Sequence, residues 1–365
     1  MQRKKGILRL LISPLALLYG FVTGIRNMLF DMKILPSEKF PIPIICVGNL
    51  SVGGTGKTPF TEYLTALLLK HYRVATLSRG YKRRTKGFRI VEVGSYADEA
   101  GDEPCQLKQK YPDAIVAVDA NRRRGINKLL ALPENERPQV IILDDAMQHR
   151  YVTPSLTVML TDYNNMYYED HILPVGDLRE SVYNAYRADI VIVTKCRNDL
   201  KPIHLRLIEK SMSLMANQKL FFSEIQYLDL QPVFKLTEIA ACGMEEISKD
   251  EKILLITGIA SPHTLINKIR TLANDVRVFT FPDHHDFVPT DIQAIDSVFK
   301  QLSAFKRRII CTEKDATRLR TADLPADWKP LLFYAPIRMQ FLFGHGNRFD
   351  DLILKHVFST ININK

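Results

Sequence analysis

A chain of 365 residues with 46% hydrophobic and 25% charged residues can bury a substantial core, reads as two domains, and excludes disorder as its general state. Its formal charge of +10 favours an anionic partner: a nucleotide, a nucleic acid or an anionic membrane surface. The five cysteines (Cys46, Cys105, Cys196, Cys242 and Cys311) include no CxxC pair or metal-type cluster, so they read as reduced thiols of a cytosolic protein.

The first feature along the chain is an apolar stretch over residues 8–30, preceded by basic residues from Arg3 to Lys5. A membrane-spanning helix needs about 20 apolar residues. Here Arg9 and Arg26 shorten the clean run, Pro14 interrupts it, and no small-x-small cleavage site follows. The pattern predicts a helix over residues 1–30 that lies in the membrane interface with its basic flank on anionic headgroups. The competing reading is a helix packed on the protein's own core.

Residues 42–47 are an apolar, strand-like run and residues 60–70 are helix-like. Between them stands Ser51-Val52-Gly53-Gly54-Thr55-Gly56-Lys57-Thr58-Pro59, the strand, glycine-rich turn and helix start that a phosphate-binding loop requires. The glycines let backbone N–H groups turn inward around phosphate oxygens, and the helix N-terminus adds partial positive charge. Lys57 is placed to reach the β- and γ-phosphates and the Thr58 hydroxyl to hold Mg²⁺. Ser51 stands where the usual pattern has glycine. The loop predicts that ATP or a similar nucleoside triphosphate binds here.

Further strands are predicted at residues 73–80, 114–118, 140–143, 156–160 and 189–194, all of the continuous apolar type expected when helices cover both faces of a sheet. Residues 31–220 therefore read as a P-loop NTPase-like, doubly wound α/β domain with a mostly parallel sheet and its ligand at the carboxyl ends of the strands. Asp229 and Pro232 break the pattern, which predicts a linker over residues 221–236. Runs at 253–258, 276–281 and 308–312 predict a smaller α/β domain over residues 237–337 that contributes to the active-site cleft. Residues 338–365 read as a helical tail.

The strand at 140–143 ends in Asp144 and Asp145. An acid in that position completes the Mg²⁺ site of a phosphate-loop protein together with the loop hydroxyl. Phosphoryl transfer also needs a group to accept the nucleophile's proton. The candidates are Asp102 and Glu103 in a Gly-Asp-Glu-Pro run, and His284 and His285 between Asp283 and Asp286. Arg79, Arg83, Arg122, Arg123, Arg124 and Arg179 are candidates to clamp an anionic substrate. No RNA-binding signature with stacking aromatics is present, so no nucleic-acid partner is expected.

Seven segments carry a resemblance to a known family: VGNLSVGGTGKTP (residues 47–59), SRGY (78–81), GDEP (101–104), DDAMQH (144–149), PVGDLRE (174–180), FPDHH (281–285) and TEKD (312–315). The chain resembles the tetraacyldisaccharide 4'-kinases, the lipid A 4'-kinases of Gram-negative bacteria. That resemblance implies ATP-dependent phosphorylation of the 4'-hydroxyl of a tetraacylated glucosamine disaccharide 1-phosphate, giving lipid IVA, at the cytoplasmic face of the inner membrane and with no obligate protein partner. It implies that Lys57 and Thr58 hold nucleotide and Mg²⁺, and that Asp144 and Asp145 form the acidic strand end. Asp102 would act as base with help from His284, and Arg179 and Glu180 would lie in the active-site loop.

Ala146 and Met147 depart from the family's usual glycine and large apolar residue after the paired acids, and residues 150–154 lack its Arg-Asp pair. Alanine restricts the backbone more than glycine does, which puts the turn after the acids in question. Two other classes remain: a membrane-recruited P-loop ATPase switch, which the Val52 after Ser51 disfavours because such ATPases often carry an early lysine, and a soluble small-molecule kinase whose first helix is core.

Overall fold

The structure is a computed structural model that describes residues 2–197, 199–234, 240–283, 285–302 and 306–363, with side chains from residue 12 onward. The chain divides into two compact units, one of Met1–Ser95, Leu107–Ile225 and Met339–Lys365, the other of Tyr96–Gln106 and Gln226–Arg338. In chain order the elements are α1 (Gln2–Asp31), β1 (Ile44–Gly48), α2 (Lys57–Leu69), β2 (Val74–Ser78), β3 (Arg89–Val91), α3 (Ala97–Ala100), α4 (Asp102–Lys110), β4 (Ile115–Val118), α5 (Arg122–Leu130), β5 (Val140–Leu143), β6 (Leu156–Asp162) and β7 (Ile190–Thr194). They continue with α6 (Pro202–Met212), β8 (Lys219–Tyr227), β9 (Gln231–Pro232), β10 (Lys252–Thr257), α7 (His263–Leu272), β11 (Asp275–Thr280), α8 (Pro289–Gln301), β12 (Arg307–Thr312), α9 (Glu313–Leu319), β13 (Leu332–Ala335), β14 (Ile337–Phe341) and α10 (Gly346–Ile363).

The larger sheet has the strand order β14-β8-β7-β6-β1-β5-β2-β4-β3. Strand β1 lies at its middle, parallel to β5 and to β6, with Ile45 opposite both Ile142 and Leu156. Alternate β1 side chains enter different cores, as strand geometry requires. Ile45 and Val47 pack with Phe60, Leu64 and Leu68 of α2 and with Phe349, Ile353 and Val357 of α10. Ile44 and Cys46 pack with Ile126 and Leu129 of α5. Covering both faces explains why every β1 residue is buried. Phe60 by itself, fully buried, contributes about 1.5–3 kcal/mol. The C-terminal helix thus belongs to the first unit's core.

Residues 221–227, read from sequence as the start of a linker, form most of β8, which pairs parallel with β7. Phe221 and Phe222 are buried on the two faces of the sheet. The composition around Asp229 and Pro232 hid this, because the break in the pattern lies after the strand and not before it. Two edge strands, β3 and β14, also had no apolar run to announce them.

The second unit carries a five-stranded sheet in the order β11-β10-β12-β13-β9, parallel except for the β9 edge. Its core gathers Leu254, Ile256, Ile295, Phe299, Ile309 and the fully buried Trp328.

Helix α1 is continuous through Pro14. Its stretch Ile12–Asp31 is long and apolar enough to cross a membrane. Leu15, Leu17, Leu18, Phe21 and Val22 are exposed, which makes the helix a candidate for membrane association and not a core helix.

Candidate active site

The turn after β1 is built on one buried amide. Asn49 is fully buried, and its Nδ2 donates to the Ser51 carbonyl (2.7 Å) and to Thr55 Oγ1 (2.9 Å), tying the two sides of the loop together. Gly53 (φ 106°) and Gly56 (φ 83°) take the left-handed backbone that only glycine adopts without strain. Gly56 is the N-cap of α2 and supplies no side-chain cap, so the first N–H groups of that helix are left for a ligand. Thr194 Oγ1 donates to the Thr55 carbonyl at 2.8 Å, and Lys195 Nζ donates to the Gly54 carbonyl and to Asp162 (2.7 Å). The loop is therefore braced from β7 as well as from within.

Lys57, the first residue of α2, donates to Asn49 Oδ1 at 3.2 Å and stands 3.7 Å from Asp145 Oδ1. Thr58 follows it in the same helical turn. Asp144, nearly buried at the end of β5, accepts from Thr61 Oγ1 (3.0 Å), and its carbonyl accepts from Arg122 Nη2 (3.1 Å). Asp145 takes the left-handed conformation (φ 46°) and turns its carboxylate to Arg179 Nη1, at 3.1 and 3.2 Å. Burial alone raises the Asp145 carboxyl, but Lys57, Arg179 and Arg122 outweigh it and hold the group below the usual carboxylate value. The strained residue of this turn is Asp145, and Ala146 has no positive φ, so alanine meets the geometry that glycine would otherwise serve.

The turn also explains Gly48. A Cβ there would lie 2.6 Å from Met147 Cβ, so the end of β1 and the segment after the acids approach as closely as a glycine permits.

Arg179 and Glu180 reach the loop through backbone pairing. Ser51 and Leu178 form an antiparallel bridge, Val52 N–H donates to the Asp177 carbonyl (2.7 Å), and Arg179 N–H donates to the Leu50 carbonyl (2.8 Å). Glu180, 2% exposed, accepts on Oε2 from Asn27 Nδ2 and Arg187 Nη2, each at 2.7 Å. Gln148 closes the arrangement by donating to the Asn49 carbonyl (2.9 Å). Its neighbour His149 is pushed down to about 4 by burial, with Arg122, Arg26 and Arg79 adding to the effect, so it is neutral near pH 7. Lys57, Thr58, Asp144, Asp145 and Arg179 are thus gathered at one end of the larger sheet, at the carboxyl ends of β1 and β5, as the doubly wound topology requires.

The candidates for the base lie in the second unit. Asp102 opens α4, is 8% exposed, and is held by Arg318: Nε donates to Oδ1 at 3.1 Å and Nη2 to Oδ2. Arg318 Nη1 also donates to the His285 carbonyl (2.9 Å), so one guanidinium joins the Gly-Asp-Glu-Pro segment to the histidine segment. Lys314, a helical turn earlier on α9, pairs with Asp283 (2.8 Å) and Glu103 (3.9 Å). His285 Nε2 lies 2.8 Å from Asp291 Oδ2, and its ring stacks on Phe281 at 4.5 Å. His284 lies outside the described residues.

Asn49 and Gln148 stand inside the quoted motifs with no role that local sequence assigns, and no motif marks Asn27, Thr61, Arg187 or Arg318. Thr61, one turn after Thr58 on α2, was open to inference from helical spacing alone. The others join segments remote in sequence.

The family model described as tetraacyldisaccharide-1-P 4'-kinase matches residues 8–357. The chain belongs to this family. It is 49% identical over 352 residues to the tetraacyldisaccharide 4'-kinase of Parabacteroides distasonis, covering 96% of this chain and 95% of that one. It is 46% identical over 352 residues to the Flavobacterium johnsoniae protein of the same name, covering 96% and 98%. A solved structure of LpxK from Aquifex aeolicus in complex with ATP is similar with a TM-score of 0.73 and 28% identity, covering 96% of this chain and 99% of that one. Membership of a kinase family favours a phosphotransferase over the ATPase switch that the loop alone left open.

Proposed function

We infer that this chain transfers the γ-phosphate of ATP to the 4'-hydroxyl of a tetraacylated glucosamine disaccharide 1-phosphate, giving lipid IVA and ADP. The observation that carries the reading is Lys57 set between Asn49 and Asp145 at the uncapped N-terminus of α2, where a triphosphate is bound by backbone N–H groups and the ammonium together.

The acceptor's 4'-oxygen attacks the γ-phosphorus, the bond to the β,γ-bridging oxygen breaks, and the hydroxyl proton passes to Asp102. Lys57 neutralises charge on the β- and γ-phosphates, and Arg179, steadied by Asp145, does so at the transferring group. Arg318 orients the Asp102 carboxylate, and His284 assists it. The Thr58 hydroxyl and the Asp144 and Asp145 carboxylates are hard oxygen donors of the kind Mg²⁺ takes. Among the described residues no three His, Cys, Asp or Glu side chains gather as a metal-holding group. One or two protein carboxylates completed by phosphate oxygens is the usual Mg²⁺ arrangement, so the donor set fits. Bound there, Mg²⁺ would neutralise charge developing on the β- and γ-oxygens.

The exposed apolar face of α1 supports a membrane-bound enzyme that draws its acceptor from the same membrane. The chain's charge of +10 favours anionic lipid under the helix, and the need for ATP favours the cytoplasmic face. No nucleic acid and no further protein is needed for this chemistry. Incubation with γ-labelled ATP and detergent-solubilised tetraacyldisaccharide 1-phosphate tests it. Label is expected in the lipid; release of free phosphate alone would instead identify a nucleotide switch.

A further inference from the structure

Helix α1 does more than present an apolar face. Tyr19, Arg26 and Asn27 share one side of it, seven and eight residues apart, and each bonds a segment of the phosphate site. Tyr19 Oη donates to the Arg179 carbonyl (3.0 Å), Arg26 Nη2 to the Gln148 carbonyl (3.0 Å), and Asn27 Nδ2 to Glu180 Oε2 (2.7 Å). Asn27 is 5% exposed and Glu180 2%. The second donor to the same oxygen, Arg187, also bonds the Met147 carbonyl at 3.0 Å.

A membrane anchor has no use for this arrangement. Burying an amide and a carboxylate costs free energy unless they are paired, and apolar residues would dock the helix without that cost. What the pair does is fix the residue after Arg179, whose guanidinium meets Asp145 and Gln148. From this geometry we propose that Asn27 is a positioning residue for phosphoryl transfer: through Glu180 it sets the backbone that aims Arg179 at the acid turn, so α1 is a structural part of the phosphate site as well as its membrane contact. The inference rests on the reading of Arg179 and Glu180 as active-site residues.

The test uses the full-length chain with detergent-solubilised lipid acceptor. Asn27→Ala removes the donor, and Asn27→Asp keeps the side-chain volume while placing a second carboxylate against Glu180. Both are expected to lower kcat about 10- to 100-fold, the loss typical when a reacting group is misaligned by about 1 Å. The lipid KM, and sedimentation with phosphatidylglycerol vesicles, should stay within about twofold of the parent protein. An unchanged kcat, or a change confined to lipid KM and sedimentation, overturns the proposal and leaves α1 a docking helix only. Glu180→Gln separates the two levels. If it turns over at the parent rate, the active-site reading of Glu180 fails; if it is slow while both Asn27 variants are normal, the positioning inference fails alone.

Discussion

Lys57 and Asp145 face each other at 3.7 Å, an ion pair between the helix that follows the glycine-rich loop and the acid turn 88 residues later in the chain. Asp145 is shared with Arg179, so two cations converge on one carboxylate at the place where a polyanion is to bind. The acid holds the cations in readiness, and phosphate oxygens compete for them.

Lys57→Met is therefore expected to lower kcat/KM by on the order of 10²–10³, the usual cost of losing one charge-stabilising donor. Steady-state phosphate transfer at saturating lipid measures it. Parent-like kcat/KM would show that Arg179 alone serves the phosphates.

Asp102→Asn should lower turnover far more than it weakens ATP binding, because a base acts only on the transferred proton. Comparison of kcat with nucleotide affinity by calorimetry decides it; a folded variant with normal turnover removes Asp102 as base.

The same carboxylate has a structural partner, so stability reports on it separately. Arg318→Leu leaves the nearly buried Asp102 without its guanidinium and should destabilise the protein by about 3–5 kcal/mol. Denaturant unfolding reads this directly. A loss below about 1 kcal/mol would place the pair with exposed, weakly coupled ions.

His149 predicts an acid limb of stability. Its folded value, about 4, lies below the value near 6.5 of an unfolded chain, so the unfolded state takes up the proton first as pH falls. The contribution is fully present above about pH 6.5 and is lost progressively until the pH passes the folded value near 4. His149→Gln should flatten the melting temperature against pH across that window; an unchanged slope means the group is not buried in solution.

Gly48→Ala brings a Cβ to 2.6 Å from Met147 Cβ, and the acid turn must move. Overpacking of this kind costs about 1–3 kcal/mol. A matching fall in transfer rate is expected from the shifted Asp145, and a variant with parent-like stability and rate would show that the turn is free to yield.

Most of the larger sheet was legible in the sequence, because strands buried on both faces must be apolar throughout and leave uninterrupted runs such as residues 140–143. Strand β8 was not, since its second half is mostly polar and only partly buried and the break that follows it looks like a linker. The phosphate loop was legible because glycines and a Gly-Lys-Thr end are needed locally, by the backbone of the loop itself. Asn49 was invisible as a brace, for an asparagine's partners depend on how the loop folds over it.

A triphosphate loop between a central strand and a helix, with acids at the end of a neighbouring strand, is legible from adjacent residues alone, because backbone conformation and strand periodicity are local properties. That Asp145 and not Ala146 carries the strained turn, that Arg318 holds Asp102, and that Asn27 of the N-terminal helix bonds Glu180 emerges from the folded chain alone. Each of these joins groups far apart in the chain, and a hydrogen bond or ion pair depends on distances of about 3 Å that no local pattern encodes.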